Sequence, residues 1–196
     1  MAITPRERVL TALAHQQPDV CPWQIDLTID AARQTAEYLG DPHFVSKIGN
    51  HIAGCEDGYF VEVRPDFWQD QFGIVWNRTI DKDIGNVHEY LLPEPDLSHY
   101  HFPQPDLARN ARTYERLIAA HPNEFRFGGV GFSMFERAWT LRGMANLLED
   151  MILNPKFVDD LLDKILEYNL QVIDHLLPYD LDCVRFGDDW GQQRGL

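Results

Sequence analysis

The chain has 196 residues, which is enough for one ordinary domain with a sizeable core. Hydrophobic residues at 44% and charged residues at 24% exclude general disorder. A formal net charge of −14 argues against nucleic acid or an anionic membrane surface as the main partner, although a local arginine cluster can still receive an anionic substrate.

Thr4-Pro5-Arg6-Glu7 predicts a helix start. Thr4 can cap, Pro5 suits the first helical position, and Glu7 completes a capping box. Val9, Leu10 and Leu13 give that helix a short apolar face. No apolar segment of signal-peptide length occurs near the start, and no apolar run is long enough to span a bilayer. The reading is therefore a cytoplasmic protein with no membrane partner. Cys21, Cys55 and Cys183 are odd in number and far apart, so reduced thiols are expected instead of a disulfide framework or a CxxC metal motif.

Trp23 to Leu27 alternates in polarity and predicts a strand, with Asp26 near its end. A helix follows from about Asp30 to Leu39, closed by Gly40. Residues 41–110 are rich in Pro and aromatics and lack a long helical period, which predicts an irregular insertion or lid with room for one more barrel-type strand. Within it, Tyr59 to Val63 and Gln71 to Arg78 read as short strands of a hairpin around Pro65-Asp66-Phe67-Trp68. Asp66, Trp68 and Asp70 combine acids with an aromatic ring, a mix that suits substrate binding in a pocket lid. The competing reading is a hydrophobic anchor flanked by solvated acids.

Strand–helix alternation returns after residue 105. A helix is expected from Asp106 to Ala120, then a Gly-containing strand from Phe125 to Gly131. Ser133 is placed to cap a helix running to about Leu153, with Glu136 at the capping-box position. Asn154-Pro155 restarts a helix whose apolar set, from Phe157 to Leu177, keeps a strong helical period until Pro178. Asp182 to Phe186 reads as a buried strand leading into Gly187-Asp188-Asp189.

This order predicts an α/β fold with a parallel sheet. About three barrel-type strands are expected, near Trp23, Phe127 and Val184. A closed eight-stranded barrel takes about 250 residues, and no helix sequence follows the Asp182 strand. The expectation is part of a larger α/β enzyme, with an open sheet as the rival.

Candidate site residues follow from strand ends. Asp188 and Asp189 lie where barrel chemistry sits, and can serve as acid, base or ligand-orienting groups; otherwise one caps a helix and the other is solvated. Asp26 has the same pair of readings at the first strand. Phe132, Ser133 and Arg137 follow the Gly129-Val130-Gly131 strand and are assigned to substrate binding, because glycines permit close ligand approach and helix N–H groups favour anions. Tight strand–helix packing is the alternative. His99-x-His101, and His51 with Cys55, lack a third ligand, so no metal ligand is assigned. Trp139, Leu141 and Met144 read as core.

Several segments together resemble a known family. These are Thr4 to Leu10 with Gln17-Pro18-Asp19 and Pro22, Gly129 to Ser133, Leu147 to Met151 running into Asn154 to Val158, and Phe186 to Gly191. Their order and spacing resemble the N-terminal portion of the uroporphyrinogen decarboxylase superfamily. The resemblance implies that residues 1–196 are the N-terminal part of a (β/α)8 TIM barrel, truncated. Members include the haem-pathway decarboxylase and cobalamin- or coenzyme-M-linked methyltransferases. The decarboxylases carry an Arg-Gln-Ala-Gly-Arg-Tyr-like segment after the first strand, whose arginines grip substrate carboxylates. Here that place reads Gln24 to Asp30 without an Arg pair, and the decarboxylase tyrosine position holds Arg137. Arg64 to Gly73 looks more like the methyltransferase-like branch. The implied function is one-carbon or methyl transfer on a small-molecule substrate, incomplete and weakly active alone. The alternatives are a uroporphyrinogen-type decarboxylase and a non-catalytic fragment. No cofactor is implied for this chain, whereas zinc and a corrinoid belong to a full-length relative. The implied protein partner is a second copy or a complementing C-terminal half.

Overall fold

The computed structural model describes residues 3–189 and 191. Helix α1 (Pro5–Leu13) begins with the expected capping box: the Glu7 amide donates to Thr4 Oγ1 at 3.2 Å, and the Thr4 amide donates to Glu7 Oε2 at 2.7 Å. Helix α2 (Ile29–Leu39) is capped by Thr28 and closed by Gly40, whose φ of 64° lies in the left-handed region that glycine adopts without steric penalty.

Trp23 to Leu27 is not a strand. The Trp23 carbonyl accepts from the His51 amide at 2.9 Å, but Ile25 bonds to the Asn50 side-chain amide and not to a backbone ladder. Its apolar residues explain the correction: Trp23, Ile25 and Leu27 are all exposed, so the alternation buries nothing. The first parallel strand is instead β1 (Ile52–Glu56), inside the section read as irregular.

Strands β1, β6 (Phe125–Val130) and β7 (Cys183–Phe186) form a parallel sheet in the order β1-β6-β7. Ile52 pairs with Phe125 and Glu56 with Gly129; Phe127 pairs with Cys183 and Val130 with Phe186. This register sorts the side chains into two faces. Cys55, Gly128 and Val184 turn toward helices α3 (Leu107–Ala120) and α6 (Pro155–Leu176). A Cβ on Gly128 would overlap Leu176 of α6, so only glycine lets that helix approach. Gly54, Phe127 and Cys183, then Glu56, Gly129 and Arg185, occupy the opposite face. The fold is thus α/β with a parallel sheet, and the described strands do not close into a barrel.

A second sheet is antiparallel, in the order β2 (Phe60–Arg64), β3 (Phe67–Asp70), β4 (Val75–Asn77) and β5 (Asn86–Val87). The expected strand at Tyr59 to Val63 is β2. The expected Gln71 to Arg78 strand shortens to β4, and Phe67-Trp68 belongs to β3, leaving Pro65-Asp66 as the turn, with Asp66 at φ 65°. Residues 41–110 therefore carry β1 to β5. Strands this short offer too few alternations to stand out from an irregular sequence.

The helix expected from Ser133 to Leu153 is broken by Gly143 (φ 92°) into α4 (Phe135–Arg142) and α5 (Met144–Leu153). The core joins both layers: Phe72, Ile74 and Trp76 of the antiparallel sheet meet Val130, Leu141, Leu161, Ile165 and Val172. Leu141 is core as expected, Trp139 packs against it partly buried, and Met144 is exposed. No helix among the described residues is long and apolar enough to cross a membrane.

Candidate functional site at the strand ends

The C-terminal ends of the parallel strands converge through backbone bonds. Asp57, just beyond β1, donates its amide to the Gly129 carbonyl at 3.1 Å. Gly187, just beyond β7, donates to Val130 at 2.9 Å, and its carbonyl accepts from the Ser133 amide at 2.9 Å. The glycines keep this floor low: a Cβ on Gly131 would collide with the Glu56 carboxylate. Glu56 pairs with Arg185, whose guanidinium lies 4.4 Å from the Phe127 ring centroid. A cavity of about 640 Å³ runs along this face, lined by Asp26, Asn50, Gly54, Glu56, Phe127 and Arg185 among others.

Asp188 reaches across to α4, the helix that follows the neighbouring strand β6. Its carboxylate accepts from the amides of Met134 (3.2 Å), Phe135 (2.9 Å) and Glu136 (2.7 Å). These are the orphan N–H groups at the start of α4. Ser133 does not cap α4; it is buried, and the cap position, Met134, makes no side-chain cap bond. The capping carboxylate comes from across the sheet, out of reach of a local motif.

Asp189 is exposed beside Glu136. Burial, together with the charges of Asp189 and Asp188, pushes the Glu136 carboxyl up to about 7. Asp57 is buried, and burial pushes its carboxyl up to about 6. Its Oδ2 accepts from the Tyr168 hydroxyl at 3.2 Å, while Oδ1 lacks a protein partner among the described residues. Burial raises the Tyr168 phenol as well.

The remaining sequence-named residues divide. Arg137 and Asp70 meet in a buried ion pair of 2.6 Å, below the rim. Phe132, at φ 50°, packs at a tilt against Trp76, with ring centroids 5.1 Å apart, and also lies near the Arg137 guanidinium. Asp26 is exposed and accepts from Gln24 at 2.9 Å; it shares the cavity with Glu56 and Arg185. Asp66 accepts from Lys82 at 2.8 Å on the β2–β3 turn, and Trp68 sits in the antiparallel sheet opposite Trp76. The structure thus groups Asp188, Asp189 and Ser133 at the strand ends and leaves Asp66 and Trp68 in the second sheet.

Glu56, Asp57, Tyr168 and Arg185 escaped the sequence reading. The available signal for the first two was an apolar Ile52-Ala53-Gly54-Cys55 run ending in two acids, the same pattern that drew attention to Asp188 and Asp189. Tyr168 sits at a buried helical position between Ile165 and Val172.

Cys55 is half-buried, and burial pushes its thiol up to about 11, which makes it a poor nucleophile. His51 is buried against Trp23, with ring centroids 4.1 Å apart, and touches Arg8. Among the described residues, no group of three or more His, Cys, Asp or Glu side chains is placed to hold a metal. No family model, curated protein or solved structure matches the chain.

Proposed function

We propose that this chain is an arc of a (β/α)8 barrel of the uroporphyrinogen decarboxylase superfamily, of the methyltransferase-like branch. The three parallel strands with helices on one face suit that architecture, and their C-terminal ends are where such barrels carry chemistry. The proposed activity is one-carbon or methyl transfer involving a small molecule.

The charge of the rim carries the choice of branch. Glu56, Asp57, Glu136, Asp188 and Asp189 gather at the strand ends, with Asp26 in the adjoining cavity. Among the described residues the cations there are paired: Arg185 with Glu56, and Arg137 with Asp70 beneath the surface. A polycarboxylate such as uroporphyrinogen would meet the Glu56, Asp188 and Asp189 carboxylates and, among the described residues, no unpaired arginine pair, which disfavours the decarboxylase reading. A neutral or cationic group is accommodated. The described residues do not supply a metal-binding set, so no step is assigned to zinc, and Glu56 with Arg185 would orient the substrate over the glycine floor.

Equilibrium dialysis tests the reading. Saturable retention of methylcobalamin, with no retention of the polycarboxylate uroporphyrin, supports it. Retention of uroporphyrin alone favours the decarboxylase and overturns it.

A further inference from the structure

Helix α6 has a second apolar face. Leu161, Ile165, Val172 and Leu176 are buried in the protein, but Leu166, Leu170 and Leu177 are 42%, 48% and 64% exposed. With the partly buried Leu162 and Ile173 they form a continuous stripe at helical spacing. Phe186 pairs in register with Val130, a core residue under α6, so it turns to the same side of the sheet; it is 55% exposed. Strand β7, which carries it, is an edge of the described sheet. A large apolar patch of this kind marks an interaction surface.

The stripe has an acidic border. Asp163, Glu167 and Asp174 are exposed along its solvent flank, and of these Glu167 pairs with Lys164. We propose that this face docks an amphipathic helix of a partner polypeptide whose apolar stripe is bordered by Lys or Arg. Charge selects this occupant. A second copy of the chain would bring its own acidic border and a net charge of −14 against the first, a like-charge juxtaposition that penalises the wrong partner. A basic-bordered helix matches both the stripe and its rim. The inference stands apart from the methyl-transfer reading, since it uses neither the strand-end rim nor the cavity.

The test uses the full chain and two fluorescent helical peptides of about 18 residues. Both present the same leucine stripe; one borders it with lysines, the other with glutamates. The expected result is at least about tenfold tighter binding of the lysine peptide, narrowing as salt is raised. Leu170→Ser weakens the lysine peptide about tenfold with an unchanged far-ultraviolet circular dichroism spectrum. The pair Asp163→Asn and Asp174→Asn, which leaves the stripe intact, weakens only the lysine peptide. Equal affinity for the two peptides, or binding of neither, overturns the proposal. So does a concentration-dependent dimer in sedimentation that Leu170→Ser dissolves, because it assigns the face to a second copy.

Discussion

Arg137 Nη1 donates to Asp70 Oδ2 at 2.6 Å, with the two side chains 2% and 1% exposed. This pair joins α4, at the end of the parallel sheet, to β3 of the antiparallel sheet. Asp70 also accepts from the amides of Phe72 (2.9 Å) and Ile74 (3.0 Å) and from Trp76 Nε1 (3.2 Å). The Arg137 guanidinium lies 4.1 Å from the Phe72 ring centroid. The carboxylate thus folds its own turn and anchors the arginine of the other layer. Removing one partner leaves a buried charge behind, so Arg137→Met is expected to destabilise by about 3–5 kcal/mol. Urea unfolding of the single variants and of Arg137→Met with Asp70→Asn checks this. The double variant should lose clearly less than the sum of the singles.

Asp188 is predicted to matter first as a cap. Asp188→Ala removes the acceptor of three α4 amides and should cost about 1–2 kcal/mol, measured by denaturant unfolding. Asp188→Asn keeps an acceptor oxygen and should cost less. Equal stability of all three proteins would contradict the capping role.

Asp57 predicts a pH dependence of definite sign. Its folded value of about 6 lies above the ordinary 3.8, so the folded state holds the proton more tightly than the unfolded one. Stability associated with Asp57 is fully present below the ordinary value and is lost as pH rises through about 6. Asp57→Asn should therefore stabilise by about 1–3 kcal/mol at pH 8 and have little effect at pH 4. Thermal or urea unfolding at the two pH values reads the difference. Comparing variant with parent isolates Asp57 from Glu136, which shifts in the same direction.

Gly128→Ala should be destabilising by about 1–3 kcal/mol, because its Cβ would overlap the buried Leu176 side chain. The same change combined with Leu176→Ala should show a smaller increment for the Gly128 step. Additive losses in urea unfolding would place the effect elsewhere.

The long elements were legible in the sequence because their signals are local. The Thr4-Glu7 capping box, Gly40 behind α2, the extent of α3 up to Ala120 and the period of α6 all appear where expected. Trp23 to Leu27 misled because alternation reports polarity and not burial, and its apolar side chains remain exposed. Strand β1 was hidden because Ala53, Gly54 and Cys55 are small; Gly54 is required where the Phe127 ring covers it. The pairing of Asp70 with Arg137, and of Asp188 with α4, spans 67 and more than 50 positions of chain. Contacts at such separation leave no local spacing to read. The strand-end location of Asp188 and Asp189 was legible, but the roles of their neighbours Glu56, Asp57 and Arg185 depended on a strand the sequence did not reveal.

The most direct test of the central claim is the rate of methyl transfer from methylcobalamin to a small thiol by the purified chain, measured beside uroporphyrinogen decarboxylation. The account predicts slow methyl transfer above the thiol-only background, reduced at least about fivefold by Glu56→Gln, and no decarboxylation. Decarboxylation of uroporphyrinogen, or methyl transfer that the chain does not accelerate, would contradict it.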